Sequence, residues 1–194
     1  MSKTKRSFEI RDAVINDDFC NYTYKIIEGI GVGFAHSVKG VGIIKDSLRK
    51  AFSKLNIHLA VIDDAFKYSG IEIEDIDKHH GDELTQNFYV TGFKIKGGEE
   101  DQSVILIGTK YVSTASGRME IDSPKIALDK LSSYKWYNEL KTAIEKCRNE
   151  VARYHEGNYD EVEPEEKEDP NQLKITATGP DGVAHDIDLE SARV

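Results

Sequence analysis

The sequence predicts an α+β fold: an antiparallel sheet from two βββα-like units, with two long amphipathic helices packed on it, followed by an acidic linker and a C-terminal β-hairpin. Three observations predict it. Apolar residues alternate at period two in several short runs bounded by turn residues. They recur at steps of three and four in two longer runs. Between residues 158 and 172 the periodicity stops, and acidic residues and prolines take over. The expected division is a core over 1–157, a flexible linker over 158–172 and a hairpin or tail over 173–194.

Residues 7–28 read as a hairpin. Phe8, Ile10 and Val14 hold one phase, Asn16-Asp17-Asp18 supplies turn chemistry, and Tyr22, Tyr24 and Ile26 alternate on the return. Glycines 29, 31 and 33 follow in EGIGVGF. They lack the Gly-Lys-Ser/Thr ending of a P-loop and the spacing of a dinucleotide fingerprint, so they read as a connection between strands. A third strand is expected near Ser37–Ile44.

Leu48, Phe52, Leu55, Leu59, Ile62 and Phe66 then form one stripe, which predicts a buried helix of five or six turns starting near residue 47, with Asp46 as its cap. Lys39, Lys45, Arg49, Lys50 and Lys54 crowd the approach to that helix and its first two turns. Cations oppose the helix dipole there, whereas an anionic ligand would satisfy both the free amides and the side chains.

A polar segment follows, in which Asp77, His79, His80, Asp82 and Glu83 bring carboxylates and imidazoles together. Their spacing matches no standard zinc or calcium loop, so no metal is assigned to them.

Strands over Phe88–Lys96 and Ser103–Val112 flank the turn Gly97-Gly98-Glu99-Glu100-Asp101. Val104 and Leu106 occupy one face and Ile105 and Ile107 the other, which predicts a strand covered on both sides. A further strand is expected near Arg118–Asp122, ended by Pro124. A second helix, capped by Ser132 or Ser133, carries the stripe Trp136, Leu140, Ala143, Cys147, Val151 and Tyr154. Past the linker, Leu173, Ile175 and Ala177, then Val183, His185 and Ile187, alternate around Gly179-Pro180-Asp181-Gly182 as a small hairpin.

Charge is uneven along the 194 residues. Residues 1–157 carry 23 Lys and Arg against 24 Asp and Glu, a net of −1, while 158–194 carry 3 against 11, a net of −8. A balanced core does not look like a strong nonspecific duplex binder, which usually shows a basic excess, although local patches could still serve. Two cysteines, Cys20 and Cys147, offer neither a disulfide framework nor a zinc site. The first residues have no signal-peptide pattern, and no stretch matches a membrane span, so the expected location is cytoplasmic. No Ser-His-Asp, Cys-His, Walker or HExxH constellation is legible, so neither catalytic residues nor a cofactor is assigned.

In element order the two strand-rich units look similar to single-stranded nucleic-acid-binding modules such as the whirly, PUR and annealing-protein folds. A core ahead of an acidic C-terminal region also resembles the plan of phage and bacterial single-stranded-DNA-binding proteins. Here a hairpin pattern follows the acidic run. The resemblance implies a non-enzymatic accessory protein for single-stranded nucleic acid, with an acidic region that recruits partners or competes with the strand. The residues expected to carry binding are Lys39, Lys45, Arg49, Lys50 and Lys54 for phosphates, and Tyr22, Tyr24 and Phe34 for stacking. The alternative is a protein-protein adaptor or inhibitor acting through the acidic region and the terminal hairpin.

Overall fold

The computed structural model describes residues 7–27, 34–98, 101–113, 116–161, 176–178 and 184–186. The chain falls into two units, Met1–Val162 and Glu163–Val194. Tyr159 and Asp160, expected in the linker, belong to the first: Tyr159 packs on the core, and Asp160 exchanges backbone hydrogen bonds with Ile43.

In the first unit β1 (Ser7–Asn16) and β2 (Phe19–Ile27) form the expected hairpin. Its turn places Asp17 at φ 52°, a left-handed conformation that aspartate tolerates because its short side chain can bond locally. Strand β3 (Ala35–Val38) pairs with β2; it starts earlier than the sequence suggests and ends well before Ile44. The chain then runs close beneath the end of the last helix of this unit. Gly40 and Gly42 are needed there: a Cβ on Gly40 would meet the Cys20 carbonyl and the Tyr154 hydroxyl, and one on Gly42 would enter the Tyr159 ring.

The stripe from Leu48 to Phe66 is buried as expected, except that Ile62 is only half-buried, but the single long helix is not formed. Three segments replace it: α1 (Asp46–Ser53), α2 (Asn56–Ile62) and α3 (Ala65–Tyr68). At the first break Lys54 and Leu55 stay right-handed and bond three residues back, to Ala51 and Phe52. The path tightens without turning, which keeps the stripe on one side. At the second, Asp64 takes φ 58°, ψ 19°, and the direction changes. Lys45, not Asp46, occupies the N-cap, with no side-chain cap hydrogen bond, and Asp46 is the first helical residue.

A 3₁₀ turn over Ile76–His79 and the short α4 (Glu83–Gln86) lead to β4 (Phe88–Lys96), β5 (Ser103–Val112), β6 (Gly117–Asp122) and β7 (Ile126–Ala127). The last helix, α5 (Tyr137–His155), starts later than expected. Trp136 occupies its N-cap, and Ser132 Oγ instead accepts from the Tyr134 amide, closing a turn ahead of the helix.

Among the described residues β1 to β7 make one seven-stranded antiparallel sheet, ordered β3-β2-β1-β4-β5-β6, with β7 on the first part of β5. β1 and β4 pair over only three residues, Asp12↔Lys94 to Val14↔Gly92. Where β1 departs, a polar network bridges the gap. Glu9 Oε1 accepts from Arg148 Nη2 at 2.8 Å and from Arg11 Nη1 and Gln102 Nε2 at 3.2 Å, tying α5 to both halves of the sheet.

One sheet face carries the core. Ala13, Ile15, Cys20, Tyr22, Phe88, Val90, Phe93, Val104 and Leu106 pack with the helix stripes of α1, α2 and α5. Fully burying the Val, Leu, Ile and Phe side chains among them stabilises by about 1.5–3 kcal/mol each. On the opposite face Ile105 and Ile107 are only half-buried, so β5 is not covered on both sides as its apolar run suggested. No helix among the described residues is long and apolar enough to cross a membrane. In the second unit β8 (Thr176–Thr178) pairs antiparallel with β9 (Ala184–Asp186). Glycines 29, 31 and 33 and most of the acidic linker lie outside the described residues.

Candidate functional site

The residues expected to bind nucleic acid do not converge. Around the axis of α1, Lys45 and Arg49 lie on one flank of the buried stripe, and Lys50 and Lys54 come round toward the other. Lys45 donates to Asn158 Oδ1 at 3.0 Å and sits 3.9 Å from Asp160. Arg49 pairs with Asp18 Oδ1 at 2.6 Å and donates to the Asp17 carbonyl. Lys39 and Lys50 are exposed, and Lys54 borders a separate cleft between helices.

Of the stacking residues expected from sequence, Tyr22 and Tyr24 pack within the fold. The register Ala13↔Tyr22 turns Tyr22 onto the helix-covered face, where its hydroxyl meets His155 Nδ1 at 2.8 Å. Burial pushes that phenol up to about 12. Tyr24 is enclosed by Phe8, His155 and His36, the last stacked on it at 5.2 Å and 21°. Phe34 is 82% exposed, but it stands before β3, at the opposite edge of the sheet from β6.

The imidazoles and carboxylates after Phe66 pair off rather than assemble. His79 Nδ1 meets Asp82 at 2.7 Å, and His80 Nε2 meets Asp77 at 3.2 Å. Among the described residues no three His, Cys, Asp or Glu side chains are placed to hold a metal. Both cysteines are buried; desolvation raises the Cys20 thiol to about 12 and raises Cys147 as well, so neither is a ready nucleophile at neutral pH.

A different group of side chains converges on the uncovered face of the sheet. Residues paired directly across strands share a face, so Tyr89↔Thr109, Thr109↔Glu120 and Tyr111↔Arg118 stand together, away from the core. Tyr89 is 39% and Tyr111 47% exposed, and the two are diagonal neighbours across β4 and β5. The Arg118 guanidinium lies over the Tyr89 ring, 5.7 Å from its centroid. Beside them opens a cleft of about 470 Å³ bordered by Thr91, Thr109, Arg118 and, from the helix layer, Arg49.

Thr109 Oγ1 is buried at this cleft with no hydrogen-bond partner among the described residues. A buried hydroxyl left unpaired costs about 1–3 kcal/mol, which a ligand group or water would relieve. The face is mixed in sign, since Glu120 and Asp122 share it with Arg118, and Asp12 pairs with Lys94. It can therefore stack planar groups and meet a few anionic oxygens, but it is no polyanion trough.

Of the residues predicted from sequence, only Arg49 borders this site. Tyr89, Tyr111 and Arg118 are not singled out by the sequence. Alternation alone groups Tyr89 with Phe93 and Ile95, and Tyr111 with Ile105 and Ile107; only the register shift between Val90 and Gly92 and the strand pairing separate these rings from the core. No family model, curated protein or solved structure matches the chain.

Proposed function

We propose that the chain is a non-enzymatic accessory protein that binds single-stranded nucleic acid on the uncovered face of its sheet. Bases stack on Tyr89 and Tyr111, while Arg118 and Arg49 meet phosphate or base-edge oxygens. The observation that carries this reading is the pair of exposed tyrosines on one open face, one of them beneath an arginine, beside a cleft with an unpaired hydroxyl. Base stacking on an aromatic side chain contributes about 1–3 kcal/mol per base and tolerates any sequence, which suits a general single-strand binder.

The architecture proposed for this role is two βββα-like units joined at β1 and β4. The strand order supports it, because exchanging the halves leaves the order unchanged. Beyond the core, the acidic run and a C-terminal hairpin act as an intramolecular competitor or as the recruiting arm for a protein partner, in the cytoplasm. The net charge of −8 over residues 158–194 supports competition with a strand for the same cations. The adaptor reading attaches to the same region, most of which lies outside the described residues.

Fluorescence polarisation with a labelled oligonucleotide tests the proposal. Single strands are expected to bind at low salt, and more tightly once residues 163–194 are removed. An adaptor would instead lose its partner on truncation and show no oligonucleotide binding at any salt.

A further inference from the structure

A second cleft, of about 460 Å³, lies within the helix layer, where the end of α1, α2, the segment around Ile76–His79 and the first half of α5 meet. At its wall is His58, 2% exposed and on the buried side of α2. Its Nδ1 is 2.9 Å from the Tyr134 hydroxyl.

That contact leaves Nε2 as the ring nitrogen without a partner among the described residues. Burial raises the Tyr134 phenol far above neutrality, so it keeps its proton. Among the described residues the hydroxyl has His58 as its hydrogen-bond partner, and in the assigned tautomer it donates to Nδ1. Desolvation holds His58 at about 4, so the ring is neutral at pH 7, and with Nδ1 accepting from Tyr134 its single proton is on Nε2. Nε2 has no hydrogen-bond partner among the described residues, and the ring borders the cleft. It offers a neutral, oriented N–H donor.

Two ammonium groups border the same space, Lys54 from the end of α1 and Lys146 from α5. Among the described residues neither forms an ion pair. Asp77 and Glu139 also border it; Asp77 is already engaged with His80. The lining is thus a buried neutral donor, a second imidazole in His80, two cations and two carboxylates. A divalent cation is disfavoured by the two ammonium groups, and a purely apolar ligand by the polar lining.

We propose that this cleft binds a phosphate monoester of about mononucleotide size. The phosphate oxygens accept from His58 Nε2–H, Lys54 and Lys146, and the carboxylates of Glu139 and Asp77 accept from hydroxyl or amino groups on the ester side. Three donors suit the three terminal oxygens of a phosphate better than the two of a carboxylate. The volume is within the range of small-molecule sites. The proposal is independent of the sheet face, which uses none of these residues.

Isothermal titration calorimetry with adenosine 5′-monophosphate, inorganic phosphate and adenosine tests it on the full chain. The monophosphate and phosphate are expected to bind and adenosine is not, and Lys54→Ala with Lys146→Ala is expected to weaken binding by about tenfold or more. Long-range ¹H–¹⁵N spectra are expected to show His58 as the Nε2–H tautomer, with that nitrogen shifting as phosphate is added. Tyr89→Ala with Tyr111→Ala is expected to leave this binding unchanged. Absence of heat from both phosphates, equal affinity in the double lysine variant, or a His58 signal indifferent to phosphate would each overturn it.

Discussion

The Tyr154 hydroxyl engages both backbone groups of Gly42: the hydroxyl donates to the Gly42 carbonyl at 2.6 Å, and the Gly42 amide donates back at 3.3 Å. This buried exchange fastens the irregular crossing between β3 and α1 to the end of α5. Removing the hydroxyl leaves a carbonyl and an amide buried without partners. Tyr154→Phe is therefore expected to lower stability by about 1–3 kcal/mol in urea unfolding. A loss below about 0.5 kcal/mol would show that water replaces the hydroxyl at no cost.

Asp64 holds a left-handed conformation at the break between α2 and α3. Glycine reaches that conformation without a Cβ penalty, whereas a β-branched residue cannot do so without strain. Asp64→Gly is expected to be neutral or stabilising by up to about 1 kcal/mol, and Asp64→Val to be destabilising by about 1–2 kcal/mol. Equal effects of the two substitutions in thermal unfolding would mean that the helix path does not depend on this residue.

The helix stripe illustrates how far the sequence could be read. Leu48, Phe52, Leu55, Leu59 and Phe66 are all buried, because the step pattern records which side faces the core. Whether the backbone stays one helix depends on something else. The break at Lys54 and Leu55 tightens the turn without moving the stripe, and Asp64 is a residue that helices also accept, so neither leaves a trace in the apolar spacing.

The candidate site was less legible for a similar reason. Lys45, Arg49, Lys50 and Lys54 are neighbours in sequence but are distributed around a helix, while Tyr89, Tyr111 and Arg118 are brought together only by strand pairing. The burial of Tyr22 was legible, since Cys20, Tyr22, Tyr24 and Ile26 share one phase of β2 while Asn21, Thr23 and Lys25 hold the middle of the other.

His58 is expected to make stability pH-dependent. Its folded value of about 4 lies below the ordinary 6.5, chiefly through burial, so the unfolded chain takes up a proton that the folded ring refuses. Its contribution is fully present above about 6.5 and is lost as pH falls through about 4, amounting to about 3 kcal/mol. Urea unfolding at pH 7 and pH 4 is expected to show a smaller difference for His58→Gln than for the intact chain. Parallel pH dependences would locate the acid sensitivity elsewhere.

Glu9 is the shared acceptor of Arg148, Arg11 and Gln102, and the side chains of Glu9, Arg11 and Arg148 are each less than a fifth exposed. Glu9→Ala leaves two guanidinium groups short of a partner at the gap between β1 and β4. It is expected to cost about 2–4 kcal/mol, whereas Glu150→Ala, which releases only the exposed Arg153, is expected to cost less than about 1 kcal/mol. Equal losses in urea unfolding would mean that the network contributes no more than a surface pair.

The central claim is that Tyr89 and Tyr111 form a stacking platform for a single strand. Polarisation of a fluorescein-labelled oligothymidine, titrated with the intact chain and with Tyr89→Ala plus Tyr111→Ala, tests it directly. Each ring is expected to contribute about 1–3 kcal/mol, so the double variant weakens binding by at least about thirtyfold. With about two phosphate contacts, log affinity is expected to fall against log salt with a slope of about −1.4. Lys45→Ala with Lys50→Ala is expected to change affinity little. Undiminished binding in the tyrosine variant, or no binding by the intact chain at low salt, would contradict the account.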